Sequence, residues 1–207
     1  VKSAEDIRSE LAAGAAALLR RLAATPGPGA DPIAAVLVDW PPQTEQRGVL
    51  PSARPVLRFL PGLARAAPAP TQPLMATLNA AALSLSWRQT YAEAEVGAAF
   101  LQNYAWAEII GLSGAFASTR MSCGFLLLGP ATVYPRHRHP AEEIYVPLAG
   151  AAEWQQGDAR WRRQPVGAVV HHAGGEAHSM RTAAVPLAAL YLWHGDGLDE
   201  KARLEPA

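Results

Sequence analysis

His137, His139, Glu143 and Tyr145 fall at even intervals within GPATVYPRHRHPAEEIYVPLAG, the segment from Gly129 to Gly150. Side chains alternate faces along a strand, so a strand through this segment turns all four to one side. Two imidazoles and a carboxylate on one face make a metal site. A further imidazole, His178, follows in GAVVHHAGGEAHSMRT. Three nitrogen donors and one oxygen donor suit one divalent transition metal such as Fe, Mn, Zn, Co or Ni, and leave coordination positions for water or substrate. His171 and His172 are adjacent and point to opposite faces, so they cannot both join the cluster; they read as structural groups or as lining its mouth. His194, in WHGD, reads as a loop residue.

Positioning these groups calls for a rigid frame, and the chain has the means to build one. Its 207 residues are 50% apolar, enough for one domain with a real core and an appendage. The formal charge sums to zero and no Lys/Arg run occurs, which argues against a nucleic-acid surface. Arg160, Arg162 and Arg163 beside Trp161 read as a solvated face of a short hairpin strand. A single cysteine, Cys123, forms no intrachain disulfide, so the expected compartment is the cytoplasm. No stretch reaches the roughly 18 to 20 apolar residues of a membrane span, and a soluble protein without membrane partners is expected.

The elements divide in two. Ile7, Leu11, Ala15, Leu18, Leu19 and Leu22 recur at helical spacing, with Ser3 and Asp6 placed to cap the helix. A short element is expected over 32–40, and the proline-rich stretch 50–73 reads as an ordered wrap or linker rather than an element. Helices are expected over 71–85 and 91–104. Beyond that lie short strand-like runs at 105–110, 121–128, 132–139, 143–148, 152–156, 159–163, 168–172, 178–182 and 187–193, with a hairpin turn at Gly157-Asp158. Many short strands favour a sandwich or barrel. The expectation is a mainly β protein, with a helical part over 1–104 lying against a barrel over 105–207. The helices also offer a surface through which a homodimer could form.

The histidine segments resemble the two cupin motifs: His137-x-His139-x3-Glu143-x6-Gly150 the first, and Gly167-x5-Ala173-x-Gly175-x2-His178-x3-Thr182 the second. Seven residues separate Gly129 from His137 where the family pattern has five, and Ala173 and Thr182 replace its Pro and Asn. None of these departures touches a ligand. Membership implies a double-stranded β-helix barrel with His137, His139, Glu143 and His178 as ligands. More specifically, WRQTY, YAWAEIIG, YPRHRHPAEEIYVPLAG and PLAALYLWHGD are similar to the cupin lyases that cleave dimethylsulfoniopropionate (DMSP), a small sulfonium carboxylate, to dimethyl sulfide and acrylate.

That resemblance implies a β-elimination. A base removes a proton beside the carboxylate, a metal steadies the charge that develops, and neutral sulfide leaves without a general acid. A phenol near a dication can supply the base. Tyr145 is the first choice, Tyr134 the alternative. Trp87, Tyr91, Tyr104, Tyr191 and Trp193 are candidates to hold the sulfonium by cation–π attraction. Two other readings fit the same ligands: an Fe(II) cupin dioxygenase acting on a small acid, and a small-ligand-binding cupin that is no enzyme.

Overall fold

The computed structural model describes residues 2–205. Helix α1 (Ala4–Ala23) begins as its sequence dictates: Ser3 Oγ accepts the Asp6 amide and the Asp6 carboxylate accepts the Ser3 amide. These reciprocal bonds satisfy donors that the first helical turn leaves without partners. Leu11, Ala15, Leu18 and Leu19 form its buried stripe, against α2 (Ala30–Val38) and α4 (Gln72–Ala81).

The proline-rich stretch departs from expectation, because it holds a 3-10 turn (Pro55–Phe59) and α3 (Leu60–Ala66). Pro55 and Pro61 sit in first turns, where a missing N–H costs nothing. The helix expected over 91–104 is also absent as such. Gly97, at φ +78°, splits it into the single turns α5 (Glu93–Val96) and α6 (Ala98–Leu101), and Tyr104 already belongs to a strand.

Two antiparallel sheets carry the rest. The larger, seven-stranded one runs β1 (Trp87–Arg88), β2 (Tyr104–Gly111), β4 (Met121–Leu128), β11 (Leu187–His194), β6 (Glu142–Gly150) and β9 (Val170–His172), with β3 (Phe116–Ala117) parallel to β2. The five-stranded sheet runs β12 (Arg203–Leu204), β5 (Val133–Arg138), β10 (His178–Arg181), β7 (Ala152–Gln156) and β8 (Arg162–Gln164). β7 and β8 form the hairpin about Gly157-Asp158.

Strand periodicity sorts the side chains of the larger sheet between two cores. Cys123, Phe125, Leu127, Ile144, Val146, Leu190 and Leu192 face the helices, in one cluster with Leu11, Met75 and Leu78. Their neighbours Leu126, Tyr145, Ala189 and Tyr191 face the second sheet and pack with its Tyr134, Trp154 and Met180. β4 is therefore buried on both sides, which its run MSCGFLLL requires. The expectation is a mainly β cupin barrel with helices alongside, and the chain is mainly β with helices alongside, its strands in two facing antiparallel sheets. Cys123 lies in the helix-facing core, where burial pushes its thiol up and leaves it unreactive. Among the described residues no helix is long and apolar enough to cross a membrane.

Candidate metal centre

His137, His139, Glu143 and His178 come together inside the sandwich, with one ligand atom from each lying within 4.8 Å of the others. All four side chains are almost fully buried. A single strand does not carry the first three, as their even spacing suggested. β5 ends at Arg138, His139 lies just beyond it, and Pro140 and Ala141 cross to β6 in the opposite sheet. Glu143 thus faces the histidines across the interior. His178, on β10, is in register with His137 on β5.

Each histidine is held from behind by a main-chain carbonyl. Nδ1 of His137 donates to Pro135 at 2.7 Å, that of His139 to Ala141 at 2.9 Å, and that of His178 to Glu176 at 2.9 Å. A carbonyl can only accept, so each Nδ1 carries the proton and each Nε2 presents a lone pair. His139 Nε2 and His178 Nε2 both lie 2.9 Å from Glu143 Oε2. The His178 approach lacks hydrogen-bond geometry, which leaves that buried nitrogen without a hydrogen-bond partner. Lone pairs of two imidazoles converging on a carboxylate oxygen repel unless a cation stands between them. The donor set therefore fits a divalent metal.

The electrostatics agree. Burial, and next the neighbouring His178, lower the His137 pKa to about 3, so His137 is neutral and able to ligate at physiological pH.

Trp193, expected as a substrate contact, does more. Its indole Nε1 donates to Glu143 Oε1 at 2.7 Å, and its ring stacks on His139 at 4.0 Å. It steers two ligands at once. This role depends on the β6–β11 register, which sets Trp193 opposite Glu143 and which local spacing does not reveal. His172 turns inward and stacks on His178 at 4.1 Å, whereas its neighbour His171 turns out to Glu142 at 2.5 Å. The two do take opposite faces. His194 ends β11 rather than lying in a loop, and bonds Asp39 at 2.8 Å.

A cavity of about 350 Å³ opens beside the ligands, with Tyr104, Tyr134, Glu143, Tyr145, Tyr191 and Trp193 on its wall. The structure thus gathers most of the aromatic residues singled out in the sequence. Trp87 is the exception: fully buried in the helix-facing core, it donates Nε1 to Ala82 at 2.8 Å. Pairing of β1 with β2 turns it to the opposite side from the cavity, with its partner Ala107. Tyr91 stands behind the wall, its hydroxyl 3.5 Å from that of Tyr134. The wall also includes Trp106 and Glu108, which share Tyr104's parity in YAWAEIIG; that alternation was the available signal for them.

Both candidate phenols are buried. Tyr134 is 3.2 Å from the Tyr104 hydroxyl, which is 2.9 Å from Thr90 Oγ1, and its ring stacks on His137 at 4.3 Å. Burial and then the Glu143 carboxylate push the Tyr145 pKa well up; burial, then Tyr104, does the same to Tyr134.

Comparison with known proteins places this geometry. The dimethylsulfoniopropionate lyase family profile matches residues 32–189. A curated relative, dimethylsulfoniopropionate lyase DddQ of Ruegeria pomeroyi, is 40% identical over 117 residues, 56% of this chain and 58% of that protein's length. The match thus spans less than two thirds of the relative. The crystal structure of DMSP lyase DddQ from Ruegeria pomeroyi DSS-3 superposes with a TM-score of 0.81 over 96% of both chains, at 29% identity. A chain from crystal structures of the DMSP lyases RdDddP and RnDddQII gives 0.85 over 99% of this chain and 100% of that one, also at 29% identity. A profile match across most of the sequence, including both histidine segments, shows that the chain belongs to the dimethylsulfoniopropionate lyase family.

Proposed function

We propose that the protein cleaves DMSP to dimethyl sulfide and acrylate by base-catalysed β-elimination. The observation that carries this reading is the buried set of His137, His139, Glu143 and His178, which opens onto a cavity walled by phenols and indoles. Family membership supports it. When bound, the divalent cation supplies Lewis acidity toward the substrate carboxylate and a positive field that favours a nearby phenolate.

The chain's own residues do the rest. Tyr145, two residues from Glu143 on the same inward face, is the base that takes the proton from the carbon next to the carboxylate. As that proton leaves, the electron pair forms the carbon–carbon double bond and the carbon–sulfur bond breaks. The sulfur departs as a neutral sulfide, so no acid is required. Tyr134, engaged by Tyr104 and stacked on His137, is a positioning group that holds the carboxylate end. Burial of the whole set keeps water from competing for the base. Trp193 and Tyr191 give the sulfonium apolar and π surface, worth about 0.5 to 2 kcal/mol for each face used.

Two measurements test this. Under anaerobic conditions DMSP should yield equal amounts of acrylate and dimethyl sulfide; a reaction that stops without O2 would instead mark a dioxygenase. Tyr145→Phe should cut kcat by about 100- to 10,000-fold with metal content intact, the range for loss of a general base. Tyr134→Phe should retain more activity, and the reverse order would exchange the two roles.

A further inference from the structure

Glu108 has no part in the metal centre, yet its side chain lines the same cavity. The register of the larger sheet explains how it comes to be there. Tyr145 pairs with Tyr191, Tyr191 with Gly124, and Gly124 with Glu108, so one row of residues crosses four strands from the metal side to β2. Three strand spacings separate the ends of that row by ~14 Å across the sheet, and both end residues line the cavity. Gly124 keeps that space clear. A Cβ there would come within 2.7 Å of Tyr191 Cε1 and Oη, so the Tyr191 ring lies across the glycine.

The Glu108 carboxylate is fixed in place. The Ser113 amide donates to Oε2 at 2.8 Å, the Ser122 hydroxyl to Oε1 at 2.8 Å, and the Ser113 hydroxyl also to Oε2. All of these donors are neutral. No ion pair among the described residues involves Glu108. The lysine on the wall, Lys201, is taken up by Glu95 at 2.6 and 2.8 Å. The cavity therefore has a cation-holding end at the histidines and, away from it, the Glu108 carboxylate without an ion-pair partner, where Trp106 and Tyr191 meet edge to face at 6.3 Å. Asp199 and Glu200 are the other acids on its wall away from the histidines, and both are exposed to solvent.

We propose that Glu108 is the counter-charge for the onium end of the substrate, and that it makes the cavity select a zwitterion over a carboxylate of the same shape with a neutral tail. This rests on reading the cavity as the seat of a sulfonium carboxylate. Aromatic walls fit a cationic and a neutral branched tail of one shape and favour the cation through cation–π attraction, and a fixed carboxylate adds a full opposite charge to that preference.

The test uses two inert probes of one shape, 3-(trimethylammonio)propanoate and 4,4-dimethylpentanoate, titrated calorimetrically into the zinc-loaded protein. Wild type should prefer the zwitterionic probe. Glu108→Gln should reduce that preference by about tenfold, the scale of one charge pair across a partly hydrated cavity, without weakening the probe that has the neutral tail. Ser122→Ala, which keeps the charge, should retain the preference. If Glu108→Gln does not fold, Glu108→Asp withdraws the charge by one methylene and should lower the ratio part of the way. A ratio unchanged in Glu108→Gln or in Glu108→Asp, or equal weakening of both probes, overturns the proposal. Acrylate formation from DMSP is assayed on the same protein loaded in turn with Fe, Mn, Zn, Co or Ni. A Glu108-dependent ratio without acrylate from any of these forms would sink the lyase reading and leave the counter-charge standing.

Discussion

A histidine serves as a ligand when its far nitrogen is tied down, and here each ligand histidine is tied to a carbonyl two residues away in sequence. The cluster was legible in the sequence through the spacing of His137, His139 and Glu143 and the resemblance of both histidine segments to the cupin motifs, although one strand does not carry the first three. The part played by Trp193 was not, since it arises from pairing between β6 and β11. Trp193→Phe keeps a ring over His139 but removes the donor to Glu143 Oε1. It should weaken metal binding by about 10- to 100-fold, as loss of a group supporting a ligand does elsewhere, measured by competition against a chromophoric chelator. An unchanged affinity would mean that Glu143 is oriented by other groups.

The strands were easier to read than the helices between them. Alternation in YAWAEIIG, EEIYVPLAG and LAALYLWH gives both the strand and its two faces, one toward the helices and one toward the cavity. In the proline-rich region the signal misled, because a proline in a first turn and a proline that breaks a chain look alike until the following residues find something to pack on. α3 has that support from α4, the next helix along, and from β6, which lies far away in sequence. Gly97 acts the other way, ending a helical pattern through a backbone angle that composition does not show. At this scale Gly124 is the sensitive point. Gly124→Ala would bring a Cβ to 2.2 Å from the Ala107 carbonyl oxygen and 2.7 Å from the Tyr191 ring, so β2 and β4 must part and Tyr191 must move. A loss of about 1 to 3 kcal/mol is expected in chemical denaturation, with a raised KM for DMSP; full stability would show that the sheet yields without cost.

The helices pack on the large apolar face of the seven-stranded sheet, and Asp39 adds a polar tie at its edge. Asp39, at the end of α2, bonds Arg120 at 2.5 Å and His194 at 2.8 Å, and these partners hold its carboxyl below the usual range. A lowered carboxylate pKa stabilises the fold above the unfolded value near ~3.9, and the contribution fades as pH falls through the lowered one. Asp39→Asn should therefore lower Tm at neutral pH, with the gap to wild type closing in strong acid. A gap independent of pH would assign the effect to packing. The metal would act on the whole molecule in another way, joining the two sheets through ligands from both, and the chemistry proposed here depends on it. The most direct measurement is acrylate release from DMSP by chelator-stripped protein as Fe, Mn, Zn, Co or Ni is added back in turn. Activity that is absent without metal and saturates at one ion per chain, with His178→Ala showing neither uptake nor turnover, is the expected result. Turnover by the stripped protein, or no acrylate with any of these metals, would contradict it.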